Sequence, residues 1–153
     1  MNACTENLSR YNFSELNDCS EAEFGQFQKL MAALSPRCVL TAEALKAVIA
    51  SPDAHLYVLR SEDRIVACAT LCLFVSPTGR KASIEDVVVL PEYQGLGLGL
   101  KLMEYVLDRA QSWAPVTLQL TSRPARVAAN ALYQKLGFRQ KETNFYTMKL
   151  EKL

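Results

Sequence analysis

The stretch "IEDVVVLPEYQGLGLGLKLMEYVLDRA", Ile84 to Ala110, most constrains what this chain can become. A β-branched run gives way to proline and three glycines, and then to a helical repeat. From Leu100 on, Leu102, Met103, Val106, Leu107, Ala110 and Trp113 recur at spacings of three and four, while Lys101, Glu104, Asp108 and Arg109 face outward. Helices are weakest at glycine. If the first turn takes in Gly97 and Gly99, each costs about 1 kcal/mol against alanine. Either a tight strand-to-helix contact requires them, or a ligand approaches the backbone where a Cβ would stand in the way.

The spacing excludes two familiar phosphate sites. A dinucleotide fingerprint starting at Gly95 and Gly97 needs a third glycine at position 100, which is Leu100. A P-loop needs Gly-Lys-Ser/Thr, whereas Gly99 is followed by Leu100 and Lys101. What remains is strand, "PEYQGLGLG", helix. The first N–H groups of a helix lack partners within it and lie at the positive end of its dipole, a setting for a pyrophosphate. Without a metal-binding Ser or Asp, the loop suits a diphosphate that is held rather than cleaved. That describes coenzyme A better than a nucleoside triphosphate.

The rest of the chain reads as β, two helices, three strands, helix, strand, helix, two strands. "YNFSEL" is a first strand. Ser20 to Leu34 is a helix with Phe24, Phe27, Leu30, Met31 and Leu34 on one face, opened by a Ser20/Glu23 capping box. "SPR" ends it, Thr41 caps a helix to Ala50, and "HLYVLR" is a strand. Ile65–Val75 and "ASIEDVVVL" are strands joined by short turns and expected to be antiparallel, the second buried on both faces. "PVTLQL" is a strand. "PARVAANALYQKL" is a helix with Pro124 near its first turn and Gly137 at its end, and "FRQ" and "NFYTMKL" are the last strands. The fold class is α/β, a single mixed, mostly antiparallel sheet flanked by helices, in one domain over 1–153.

Half of the 153 residues are hydrophobic, enough for one ordinary core. A net charge of +1 gives no sequence-wide field for nucleic acid or a membrane, leaving only local basic patches such as Arg123, Arg126, Lys135 and Arg139. No secretory signal opens the chain, and "IVACATLCLFV" is too short to span a bilayer. Five cysteines without a C-x-x-C pair read as free thiols of a reducing cytoplasm, with Cys68 and Cys72 packing as small hydrophobes. His55 is the only histidine, and no metal-ligand spacing accompanies it.

Two motifs then carry a resemblance. Gln94, Gly97 and Gly99 fit Q/R-x-x-G-x-G/A after a hydrophobic strand, and "AANALYQKLGF" supplies Asn130, Leu132, Tyr133, Gly137 and Phe138 near the C-terminus. With the order of elements, the chain resembles the GNAT superfamily of acyl-CoA-dependent N-acyltransferases over nearly its whole length. The resemblance implies that acetyl-CoA is the acyl donor, with no metal. Its pantetheine arm would lie along the backbone of Val87, Val88 and Val89. Gln94, Gly95, Leu96, Gly97, Leu98 and Gly99 would hold the pyrophosphate, and Asn130 and Tyr133 would meet the pantetheine end and the sulfur. It also implies that two strands splay apart to admit the donor, and that phosphate oxygens take the room of the missing glycine side chains.

Transfer to an amine needs a neutral amine, a polarised carbonyl and a protonated thiolate. Glu85 is the candidate base, with a solvated strand-end carboxylate as its other reading. Asp86 ranks second because alternation would point it to the opposite face. Tyr133 is the candidate acid, with a satisfied core tyrosine as its other reading. The backbone N–H of Val88 or Val89 would polarise the carbonyl. The acceptor is a small-molecule or peptide amine, for which Arg37 or Lys141 could receive an anionic group. A non-catalytic acyl-CoA-binding sensor or interaction module is the alternative. The alternating "NFYTMKL" would be an edge strand able to pair two copies into a homodimer.

Overall fold

A computed structural model describes residues 10–152, in two compact units that divide between Thr121 and Ser122. The first unit is built on one five-stranded sheet. Its strands are β1 (Tyr11–Glu15), β2 (Ala54–Ser61), β3 (Arg64–Ser76), β4 (Gly79–Val89) and β5 (Thr117–Gln119), side by side in chain order. The first three pairings are antiparallel and β4–β5 is parallel, so the sheet is mixed and mostly antiparallel. Helices α1 (Glu21–Leu34) and α2 (Ala42–Ala50) connect β1 to β2, and α3 (Leu98–Ala110) connects β4 to β5.

Local chemistry sets the helix ends. At α1, the Ser20 hydroxyl accepts the N–H of Glu23 while the Glu23 carboxylate accepts the N–H of Ser20, the expected capping box. Thr41 caps α2 by accepting the N–H of Ala44. Register and alternation give the sheet two faces. One carries Tyr57, Leu59, Ala67, Leu71, Ala82 and Ile84, and α3 covers it with fully buried Leu102, Met103 and Val106. Tyr105 of α3 packs its ring on Phe13 at 5.4 Å and edge-on to Tyr57 at 5.7 Å. The other carries Leu56, Val58 and Cys68, on the side of Phe27, Leu30 and Met31 of α1 and Leu45 of α2.

Three details differ from the sequence reading. β4 is not buried on both faces along its β-branched run: Val88 is buried, but Val87 and Val89 are half-buried. Its alternation also breaks. Cys68 pairs with Val88 and Thr70 with Glu85, so Ala69 alone opposes Asp86 and Val87. This is a β-bulge, with Asp86 at φ +53°, a conformation aspartate tolerates better than most residues. Trp113 belongs to a 3-10 turn, Gln111–Trp113, beyond the end of α3.

The second unit contains α4 (Val127–Lys135). Pro124 lies in the turn before this helix rather than in its first turn. Gly137, at φ +94°, ends it as expected. The Phe138 N–H donates to the Tyr133 carbonyl and that of Gly137 to the Gln134 carbonyl, a Schellman motif. "FRQ" and "NFYTMKL" form no strand among the described residues. Phe145, Tyr146, Met148 and Leu150 are 73–85% exposed. Alternation gives these residues strand character, but a strand exists only when a neighbouring backbone completes its hydrogen bonds.

Candidate functional site

The site of the first unit starts where β4 loses its partner. β5 pairs only with Lys81–Ser83, so β4 runs on from Ile84 to Val89 with β3 alone beside it. The N–H of Leu90 donates to Val66, toward β3. By alternation Val88 also faces β3, whereas Val87 and Val89 present N–H and C=O to the open side. Of the two donors considered for a carbonyl, Val89 is therefore available and Val88 is spent in the sheet. The Gln94 side-chain amide donates to the Val89 carbonyl at 2.9 Å, folding the end of the strand back on the glycine segment.

Between them, Pro91–Tyr93 forms a 3-10 turn pinned by Arg64, which bonds Glu92 at 2.7 Å and lies over the Tyr93 ring. Gly95 (φ +75°) and Gly97 (φ +76°) then turn through the left-handed region. This refines the reading of the glycines: the backbone itself demands them, because other L-residues lose roughly 1–2 kcal/mol there. Space for a ligand is present as well, since a Cβ on either would have nothing within 4 Å. Gly99 lies in the first turn of α3, and Leu96 is exposed. Gly97 is the N-cap of α3 and supplies no side chain, and the first turn holds no acidic residue. The N–H groups of Leu98, Gly99 and Leu100 have no acceptor inside the helix. An open strand edge, two left-handed glycines and an uncapped 13-residue helix fit a pantetheine arm ending in a pyrophosphate.

Glu85 lies on the α1 side of the sheet with Thr70, exposed, and accepts a hydrogen bond from the Ser83 hydroxyl. Asp86 is at the bulge, where alternation no longer assigns it a face. Burial, and then the charge of Glu85, hold its carboxyl above the usual carboxylate range. The Asp86 carbonyl accepts the thiol of Cys68, which burial pushes up and leaves protonated. Cys68 is fully buried as expected, while Cys72 is only half-buried.

Tyr133 and Asn130 lie on α4, in the second unit. Tyr133 is buried, edge-on to Phe138 at 6.2 Å, and burial raises its hydroxyl above the ordinary phenol value against the opposing effect of Arg126. A phenol so placed keeps its proton until a strong base takes it. Asn130 donates its amide to the Arg123 carbonyl at 3.0 Å and so ties down the turn before α4. Arg123, Arg126, Lys135 and Arg139 are exposed. Arg37 and Lys141 are exposed too, and among the described residues no group of His, Cys, Asp and Glu is placed to hold a metal. No described helix is long and apolar enough to cross a membrane.

Sequence reasoning missed the bulge at Asp86, the Gln94–Val89 bond and the shortness of β5. The alternation of "ASIEDVVVL" carries no mark of an inserted residue, and the other two depend on partners distant in the chain.

Comparison with known proteins agrees with this geometry. Residues 10–138 match the model of the Acetyltransferase (GNAT) family, and the chain belongs to that family. One relative is the [ribosomal protein bS18]-alanine N-acetyltransferase of Salmonella typhimurium, 34% identical over 82 residues. The match covers 54% of this chain and 53% of that protein, so the chain spans about half the length of the relative. Among solved structures, a putative acetyltransferase from Agrobacterium tumefaciens superposes with a TM-score of 0.78 at 23% identity, over 90% of this chain and 99% of that one. An aminoglycoside acetyltransferase from an uncultured soil sample gives 0.76 at 19% identity, over 92% and 98%. At those identities the two structures establish the shared fold.

Proposed function

We propose that the protein is an acetyl-CoA-dependent N-acetyltransferase acting on the terminal amine of a polypeptide by direct transfer in a ternary complex. The observation that carries the donor is the uncapped start of α3 beside the open edge of β4. The acceptor class rests on the likeness to an enzyme named for alanine of a ribosomal protein. A terminal α-amine suits an exposed carboxylate base, because its pKa near ~8 lies below the ~10.4 of a lysine amine and less assistance frees its lone pair.

When bound, acetyl-CoA supplies the acetyl group as a thioester. Val87 and Val89 hold the pantetheine arm from the strand edge, and Gln94 to Gly99 hold the pyrophosphate. The Val89 N–H donates to the developing oxyanion. Glu85 takes the amine proton, directly or through water, and Tyr133 keeps a proton ready for the departing thiolate. Asn130, engaged at the Arg123 carbonyl, fixes the approach to α4.

The protein is further read as a cytoplasmic homodimer. Four described cysteines are free thiols, in keeping with a reducing compartment, and the exposed alternating apolar residues from Phe145 to Leu150 suit pairing between copies. Light scattering at assay concentration should give twice the 17.1 kDa chain mass, and a monomer overturns the dimer.

The test of the activity is thiol release from acetyl-CoA with three acceptor groups: peptides with free N-terminal alanine, the same peptides N-blocked but carrying lysine, and small amines. Turnover restricted to the first group supports the reading. Turnover with small amines alone overturns the acceptor. Acetyl-CoA binding without turnover of any group returns the protein to a non-catalytic acyl-CoA-binding module.

A further inference from the structure

The other end of α3 borders an open cleft of about 480 Å³, lined by Glu15 of β1, His55 and Tyr57 of β2, Asp108 and Arg109 of α3, and Trp113. A helix of 13 residues puts this cleft roughly 18 Å along the axis from the glycine end, so the pyrophosphate segment does not reach it. Its chemistry is also different. Glu15 and the His55 Nδ1 are 2.7 Å apart. A carboxylate can only accept, so in the neutral ring Nδ1 carries the proton and Nε2 is left as an acceptor. That Nε2 is buried and has no hydrogen-bond partner. A buried acceptor without a donor costs free energy until one is supplied.

The remaining groups say what kind of donor fits. The Arg109 charge is neutralised by Asp108 at 2.8 Å, and its guanidinium lies over the Tyr105 ring. With that pair cancelled and His55 neutral, the Glu15 carboxylate leaves the cleft one negative charge. The carbonyl end of the α3 dipole adds to it. Trp113, whose ring centroid is 4.7 Å from that of His55, and Tyr57 supply aromatic surface that favours a cation over an anion. We infer that this cleft is a second binding site, for a small organic ammonium ion that donates to His55 Nε2, pairs with Glu15 and packs on Trp113.

Trp113 is the only tryptophan of the chain, so its fluorescence reports this cleft directly. n-Butylammonium titrated into the full-length protein at pH 7 should change that emission saturably. The neutral 1-butanol and the anionic butyrate should do so at least tenfold more weakly. In Glu15→Gln the ammonium ion should bind at least tenfold more weakly, whereas Gly97→Val should leave its binding unchanged. The three-ligand comparison on the unaltered protein stands even if Glu15→Gln does not fold. No saturable change with n-butylammonium overturns the inference. So does equal binding of butyrate or 1-butanol, equal binding by a folded Glu15→Gln, or loss of binding in a folded Gly97→Val.

Discussion

The two long helices of the first unit begin in opposite ways. α1 is sealed by its own sequence: Ser20 and Glu23 satisfy each other's N–H groups, and Glu21 and Glu23 put negative charge in the first turn. α3 begins on a left-handed glycine, with no side-chain cap and no acid nearby. Both ends present the same backbone donors and the same partial positive charge. The difference lies in what answers them. In α1 the answer is internal and serves stability. In α3 it is left to come from outside, which is the physical meaning of a binding site at a helix start.

The largest effect expected is one that spares both helix ends. Tyr133→Phe keeps the ring and removes the proton donor, and should lower kcat by roughly 10²–10⁴. Steady-state kinetics paired with calorimetric titration should show acetyl-CoA affinity little changed, separating chemistry from the binding that α3 supplies. Glu85→Gln should erase the acidic limb of the pH–rate profile. If that limb persists in the variant, another group takes the amine proton.

Gly97→Val attacks the open end itself. A β-branched residue at φ +76° is strained, and the loop must move. Acetyl-CoA binding should weaken by more than about tenfold, some 1.4 kcal/mol by calorimetry, while circular dichroism stays native. Equal affinity in a folded variant would detach the glycines from the ligand.

Ser20→Ala breaks the sealed end. Urea unfolding should show a loss of about 1 kcal/mol, the usual value of an N-cap, with acetyl-CoA affinity unaltered. A drop in affinity comparable to that of Gly97→Val would erase the contrast.

The smallest effect is electrostatic. Arg60, bonded to Glu23 at 2.7 Å, and then the Ser20 N–H, hold the Glu23 carboxyl below its ordinary value. An acid whose folded pKa is depressed stabilises the fold above its unfolded pKa, near ~4.3, and loses that contribution as pH falls through the folded value. Glu23→Gln should therefore cost about 0.5–1 kcal/mol at pH 7 and progressively less below pH ~4. A cost that stays constant to pH 2 would assign Glu23 a purely steric part.

This contrast was legible in the sequence because both halves of it are local. A Ser followed three residues later by Glu, and glycines two apart after a strand, act through their own backbone. The same holds for Gly137 at the end of α4. What was not legible depends on distant partners. The β-branched run of β4 looked buried on both faces, yet the early end of β5 leaves Val87 and Val89 half-covered. "NFYTMKL" has the alternation of a strand, but alternation cannot supply the adjacent backbone. The role proposed for Val89 over Val88 follows from a single long-range bond, Leu90 to Val66, which no spacing rule contains.

The bulge at Asp86 works as a frameshift written in space. Before it, even-numbered residues such as Ala82 and Ile84 look toward α3. After it, the even-numbered Val88 looks toward α1, and the odd-numbered Val89 has taken over the α3 side. The two halves of β4 are thus decoded in different phases. Deleting Asp86 alone would swap the facing of every residue on one side of the deletion, though it removes a side chain that packs in no core. A graft or alignment that treats β4 as one uninterrupted strand would therefore assign half of it to the wrong face.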